Sequence, residues 1–294
     1  MRGALFMTLS MAGGAVSDAM VKAIAEHMGM AQIMFLRGIA ATLLILLLAH
    51  QRRALRPLSA AAHPMIVLRS LGEVGATVTF LIALSRIPLA DVSAILQALP
   101  LAVTLGAALF LGEPVGWRRW TAIAVGFAGV LVVVRPGAGG FTVEALLMLA
   151  CVAFAALRDL TTRRVPGEIP ALFISAVTAA SVCATGGILV AATGDWRPVS
   201  ALSAGMLVGA AVLLLTSYQL IILAMREGDI SAVAPFRYTN LPCAILLGWL
   251  VFAEVPDAWM LSGSAIIIAS GLYTFYRERR VARQPLAAAP PGVS

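Results

Sequence analysis

The chain has 294 residues, 61% of them apolar and only 12% charged, with a formal net charge of +7. A soluble domain runs near half apolar and a quarter charged, so a water-facing fold of this size has nowhere to hide such a surface. That excludes a soluble enzyme or nucleic-acid-binding module, and the positive balance reads as the basic loops of a polytopic membrane protein.

Apolar windows bounded by charged clusters predict ten spans, the first over 3–22. It carries Asp18 four residues before Lys22, one helical turn, which suits a structural ion pair. A role in meeting a substrate ammonium or a coupled proton stays open beside it, because ionisable groups at membrane depth are costly. The second span, 31–50, holds Arg37. The third, 65–85, begins with Arg69 and Glu73 in i,i+4 spacing, and these are expected to pair. The fourth, 92–112, places Ser93, Gln97 and Pro100 on one face, with Gln97 at mid-span facing a cavity. The fifth runs over 119–135. The sixth, 143–163, carries adjacent Arg158 and Asp159, which point to different faces and need not neutralise each other.

The seventh span is 169–192, and the eighth, 204–223, contains Tyr218 and Gln219. The ninth, 232–252, holds Pro235, Arg237, Tyr238, Thr239, Asn240 and Pro242. Two prolines there break helical hydrogen bonds and free carbonyls that could line a cavity. The tenth is 258–277, followed by a tail, 281–294, expected to be disordered. Glu113 and Glu254 close the fourth and ninth spans and are expected to fix loop geometry. No connection exceeds the 51–64 loop, so whatever the protein does, it does within the bilayer.

Of the 21 basic residues, 13 fall on the side of the amino terminus if loops alternate. By the positive-inside bias, both termini face the cytoplasm. Cys151, Cys183 and Cys243 lie in apolar segments and the three histidines at span ends, so neither disulfides, a metal site nor a cofactor is indicated.

Sliding the sequence by 141 positions superposes its halves. Met7 meets Met148, Asp18 meets Asp159, Lys22 meets Arg163, and Glu113 meets Glu254. Apolar matches mean little in such a chain; a membrane-depth acid and a loop acid recurring at one offset mean more. The first span thus has an internal counterpart and reads as a structural helix, despite an amino terminus that could pass for a leader. The division expected is a first five-helix repeat over 1–142 and a second over 143–280. Five is odd, so the second repeat enters the membrane inverted, an arrangement of secondary transporters with a midplane substrate site.

Ala83-Leu84, Ala90 to Pro100, and Leu109-Phe110-Leu111-Gly112-Glu113-Pro114, followed by small residues Ala122 and Gly129, resemble the EamA-type repeat of the drug/metabolite transporter superfamily. The second copy has Ala224, Pro242, Glu254, Gly263 and Ser270, with Ala253 where the pattern has glycine. The resemblance implies an all-α, ten-helix, basket-like inner-membrane transporter working by alternating access, similar to YddG-type amino-acid exporters. Export of neutral or aromatic amino acids is the expectation, with import or exchange of a nucleoside, S-adenosylmethionine or riboflavin as alternatives. The expected partners are a small-molecule substrate and the lipid bilayer, the protein being a monomer or weak homodimer. Candidate substrate-binding residues are Gln97, Ser93, Arg237, Tyr238, Asn240 and Tyr218; candidate coupling or gating residues are Asp18, Asp159, Pro100 and Pro242. An intramembrane aspartyl protease built on Asp18 and Asp159 is disfavoured, because inverted topology puts those acids at opposite ends.

Overall fold

The computed structural model describes residues 2–113, 115–137, 141–227 and 233–282. The described chain is all α: α1 (Arg2–Ala25), α2 (Met30–Gln51), α3 (Pro64–Leu84), α4 (Leu89–Leu96), α5 (Leu99–Phe110), α6 (Trp117–Val134), α7 (Val143–Thr162), α8 (Ala171–Thr193), α9 (Ala201–Glu227), α10 (Asn240–Phe252) and α11 (Ala258–Ala282). Two 3₁₀ segments, Leu58–Ala62 and Ala234–Thr239, join them. In hydrocarbon a backbone has no water to bond, so helices that satisfy their own amides are what such apolar runs form. Among the described residues, eight segments are long and apolar enough to cross a membrane, α4 and α5 counting together. The sixth and ninth expected spans are helical too, as α7 and as the 3₁₀ turn leading into α10.

Three expected boundaries need correction. The fourth span starts at Leu89 and breaks at Gln97 and Ala98, where amides bond to carbonyls three residues back as well as four. The ninth is a 3₁₀ turn followed by a helix, because Pro235 and Pro242 withhold amide donors. Both α5 and α10 restart with a proline in the first turn, Pro100 and Pro242, where a missing N–H costs nothing. The last helix continues to Ala282, into the stretch expected to be disordered; 283–294 lie outside the described residues.

The helices pack in pairs: α1 along α9, α3 along α7, α2 along α8 and α6 along α11, with α4 against α10. Gly13 sits against Leu213, and Gly72 against Phe154; 13 and 154, and 72 and 213, are each 141 apart. A side chain at Gly72 would meet the Phe154 carbonyl at 2.9 Å, so only glycine admits this crossing. At the α6–α11 crossing, Gly129 and Gly263 face one another's carbonyls, and Ser270 Oγ donates to Ala122 O at 2.5 Å.

The main apolar core is concentrated at one end of the bundle, where α1 ends. It joins Ile24, Ile33, Leu84, Leu89, Val130, Met148, Leu207, Leu241 and Met260. Beyond that end, Arg135 pairs with Asp257, which also accepts from Met260 N at 2.8 Å. These bonds, Arg135 first, hold the Asp257 carboxyl down at about 2 from its ordinary 3.8. A depressed carboxylate contributes stability above its unfolded value and loses it as pH falls through the folded one. Asp257→Asn should therefore lower Tm in detergent slightly at pH 7, the pair being half exposed. Against the native protein titrated in parallel, that difference should vanish by about pH 2.

Candidate functional site

Charged side chains from α1, α2, α3 and α7, with a tyrosine of α9, converge inside the bundle. Arg158 Nε donates to Asp159 Oδ1 at 2.8 Å, and its Nη1 reaches Glu73 Oε2 on α3 at 3.3 Å. Two expectations are thereby corrected. The adjacent Arg158 and Asp159 do pair, because the arginine is long enough to fold back on its neighbour. Glu73 is taken by Arg158, which α7 brings across α3 at Gly72, and not by Arg69. Arg69 instead donates to Thr162 Oγ1 at 2.9 Å and to Thr178. Tyr218, on α9, is 48% exposed yet lies within electrostatic reach of Glu73, Arg158, Arg37 and Arg69, so its phenol opens onto the polar interior.

Lys22 does not pair with Asp18. Its Nζ lies 2.5 Å from Glu254 Oε1, bonds to Ile87 O at 2.6 Å and sits 5.3 Å from the Phe252 ring. The i,i+4 neighbour loses because Glu254 sits at the end of α10 with its other oxygen accepting from Leu89 N at 2.8 Å. Glu113 likewise pairs with Arg163 at 3.3 Å, so both loop acids bridge helices and do more than shape their own loops. Asp18 answers to Arg37, which donates to Ser17 Oγ at 3.3 Å.

A cavity of about 260 Å³ opens at the Arg163 end. The first turn of α5 (Leu99, Pro100) forms one wall with Thr104 beyond it; Gly271, Thr274 and Phe275 of α11 form another. Asp159, Arg163 and Arg237 bring the charge. Among the described residues Arg237 has no hydrogen bond or ion pair, and Asp159 is already held by Arg158. The cavity therefore carries a surplus of positive charge, added to by the positive end of the α5 dipole.

Of the candidate residues, Arg237, Asp159 and Pro100 line this cavity. Gln97 and Ser93 do not: both are buried at the α4–α5 break, and Gln97 Nε2 has no partner among the described residues. The break turns Pro100 away from the face that a continuous helix would share with them. Tyr238 stands behind the wall, buried, its hydroxyl packed over Gly271 and without a hydrogen-bond partner among the described residues. Asn240 Nδ2 donates to Met11 O at 3.3 Å and ties α10 to α1, and Pro242 lies in the first turn of α10. Sequence reasoning missed Thr104, Thr274 and Arg163 as cavity residues. Thr104 was findable one turn after Pro100; Arg163 reads in sequence as one more basic loop residue.

The EamA-like transporter family model matches residues 1–135. The chain is 30% identical over 278 residues to the pseudopaline exporter CntI of Pseudomonas aeruginosa, covering 91% of this chain and 94% of that one. The chain belongs to the EamA-like transporter family. It is also 31% identical over 226 residues to a riboflavin transporter of Rhizobium johnstonii, covering 75% of this chain and 71% of the relative. An S-adenosylmethionine uptake transporter of Rickettsia bellii matches at 27% over 281 residues, 92% of each chain. A solved crystal structure, 17% identical, superposes with a TM-score of 0.63 over 95% of this chain and 98% of that one, and shows the shared fold. This EamA-family protein is thus an all-helical, multi-pass membrane transporter of the drug/metabolite superfamily.

Proposed function

We propose that the protein exports a small amino-acid-like solute bearing a carboxylate, by alternating access between two inverted five-helix repeats, 1–142 and 143–280. The observation that carries the substrate class is Arg237, an arginine with no ion pair among the described residues, in a cavity that also holds Arg163 and the start of α5. An intramembrane guanidinium without a counter-ion is costly unless a ligand supplies one. The substrate carboxylate meets Arg237 and Arg163; Thr104, Thr274 and the outer face of Asp159 receive its ammonium. At about 260 Å³ the cavity is at the small end for ligand sites, usually ~300–1,000 Å³, which favours an amino acid over a flavin or nucleoside.

The repeat reading is supported by helix pairs that exchange under the 141-residue offset and by half-helices starting at equivalent positions, Leu99 and Asn240. Discontinuous helices are where such transporters place their sites. The excess of basic residues on the amino-terminal side supports a cavity mouth in the cytoplasm of a bacterial inner membrane, the loading side for an exporter. The test is reconstitution in liposomes with a panel of labelled amino acids, riboflavin, S-adenosylmethionine and a nucleoside, under pH gradients of both signs. Efflux of neutral or aromatic amino acids is expected; flux of riboflavin, S-adenosylmethionine or the nucleoside alone would sink the amino-acid assignment.

A further inference from the structure

The cavity at one end and the packed core at the other are built from equivalent positions. Subtracting or adding 141 carries cavity residues Pro100, Val103, Gly271 and Thr274 onto Leu241, Ala244, Val130 and Val133. All four of those are buried members of the main core. The same offset carries Asp159 and Arg163 onto Asp18 and Lys22. One end is therefore open, and its counterpart is shut.

The two interhelical ion pairs are related in the same way, since Lys22–Glu254 maps onto Arg163–Glu113. Their surroundings differ. Lys22 and Glu254 have side chains 13% and 19% exposed, at 2.5 Å, and each makes a second bond, to Ile87 O and from Leu89 N. The group thereby joins the end of α1, the end of α10 and the turn between α3 and α4. Arg163 and Glu113 are 54% and 46% exposed, at 3.3 Å, and Arg163 faces the open cavity. An exposed pair is screened and weak; a buried one, once formed, is hard to break because either partner alone is left uncompensated.

We propose that Lys22–Glu254 and Arg163–Glu113 are a matched pair of latches, one for each end of the transport pathway, and that the buried Lys22–Glu254 latch holds this state closed at the α1 carboxyl end. In the alternate state Arg163–Glu113 takes the buried role, and Val130, Val133, Leu241 and Ala244 separate to line a second cavity floored by Asp18. The inference rests on the alternating-access reading, but its test needs no substrate.

Val130→Cys, in full-length protein with Cys151, Cys183 and Cys243 replaced by serine or alanine, places one thiol in the shut end. A membrane-impermeant maleimide is applied to right-side-out and inverted vesicles, and the labelling rate is read. In the native-latch background labelling is slow from both sides. Glu254→Gln and Lys22→Gln each raise it about tenfold from one side, the scale set by a modest shift of a two-state equilibrium. Glu113→Gln leaves the rate unchanged or lower, and Lys22→Arg, which keeps the charge and the donors that reach Glu254 and Ile87 O, keeps the rate slow. An unchanged rate in Glu254→Gln, or an equal rise in Glu113→Gln, overturns the proposal. So does fast labelling in Lys22→Arg protein that elutes as a single species. Absence of transport in liposomes would instead strike the functional reading, leaving these rates to stand on their own.

Discussion

Arg158→Leu is expected to destabilise the folded protein by about 3 kcal/mol, the scale for removing one partner of a buried ion pair. The residue joins Glu73 and Asp159, with side chains 21%, 23% and 36% exposed in a bundle whose outside is lipid. Without the guanidinium, two carboxylates are left to face each other across the α3–α7 crossing. A large fall in Tm in detergent should follow, together with loss of transport. Neutralising the whole group, Glu73→Leu with Arg158→Leu and Asp159→Asn, should recover most of the stability and none of the transport. A Tm for Arg158→Leu matching that of the native protein would show that the three groups are solvated independently.

Arg237→Gln should do the reverse, sparing the fold and disabling recognition. Having no ion pair to lose among the described residues, Arg237 can be neutralised without stranding a buried acid. A hydrogen bond to a charged group is worth ~1.5–3 kcal/mol, so affinity for a carboxylate substrate should fall about 10- to 100-fold. Affinity for the corresponding amide should barely change, and Arg237→Lys should recover part of the loss, since it keeps the charge without the fork. Competition of acid and amide forms against a labelled substrate measures this. If the variant still prefers the acid as strongly as the native protein does, Arg237 does not meet the carboxylate.

The all-helical, membrane-spanning fold was legible in the sequence because it depends on a feature that sequence records directly, long apolar runs between charged clusters. Asp18 and Asp159, and Glu113 and Glu254, point to a relation between the halves before any coordinate does. Side-chain partners were less legible. Spacing along one helix suggests Asp18–Lys22 and Arg69–Glu73, but both bases found other partners, because crossing helices bring Glu254 and Arg158 closer than a turn of the same helix does. Gln97 and Tyr238 have the polarity of cavity residues. The break after Leu96 and the 3₁₀ turn before α10 rotate them into the packing, and no periodicity reports such a rotation.

The α6–α11 crossing has a mechanical consequence. There Gly129 and Gly263 bring backbone against backbone, and Ser270 pins one helix to the other. Surfaces in contact at that distance cannot slide without collision, yet they tolerate a few degrees of tilt about the point of contact. Under the alternating access proposed above, the crossing is the fulcrum, placed between residues that map onto each other under the repeat offset. A rocking motion about it moves the two ends of the bundle in opposite senses by geometry alone, so an opening at one end needs no separate signal to close the other.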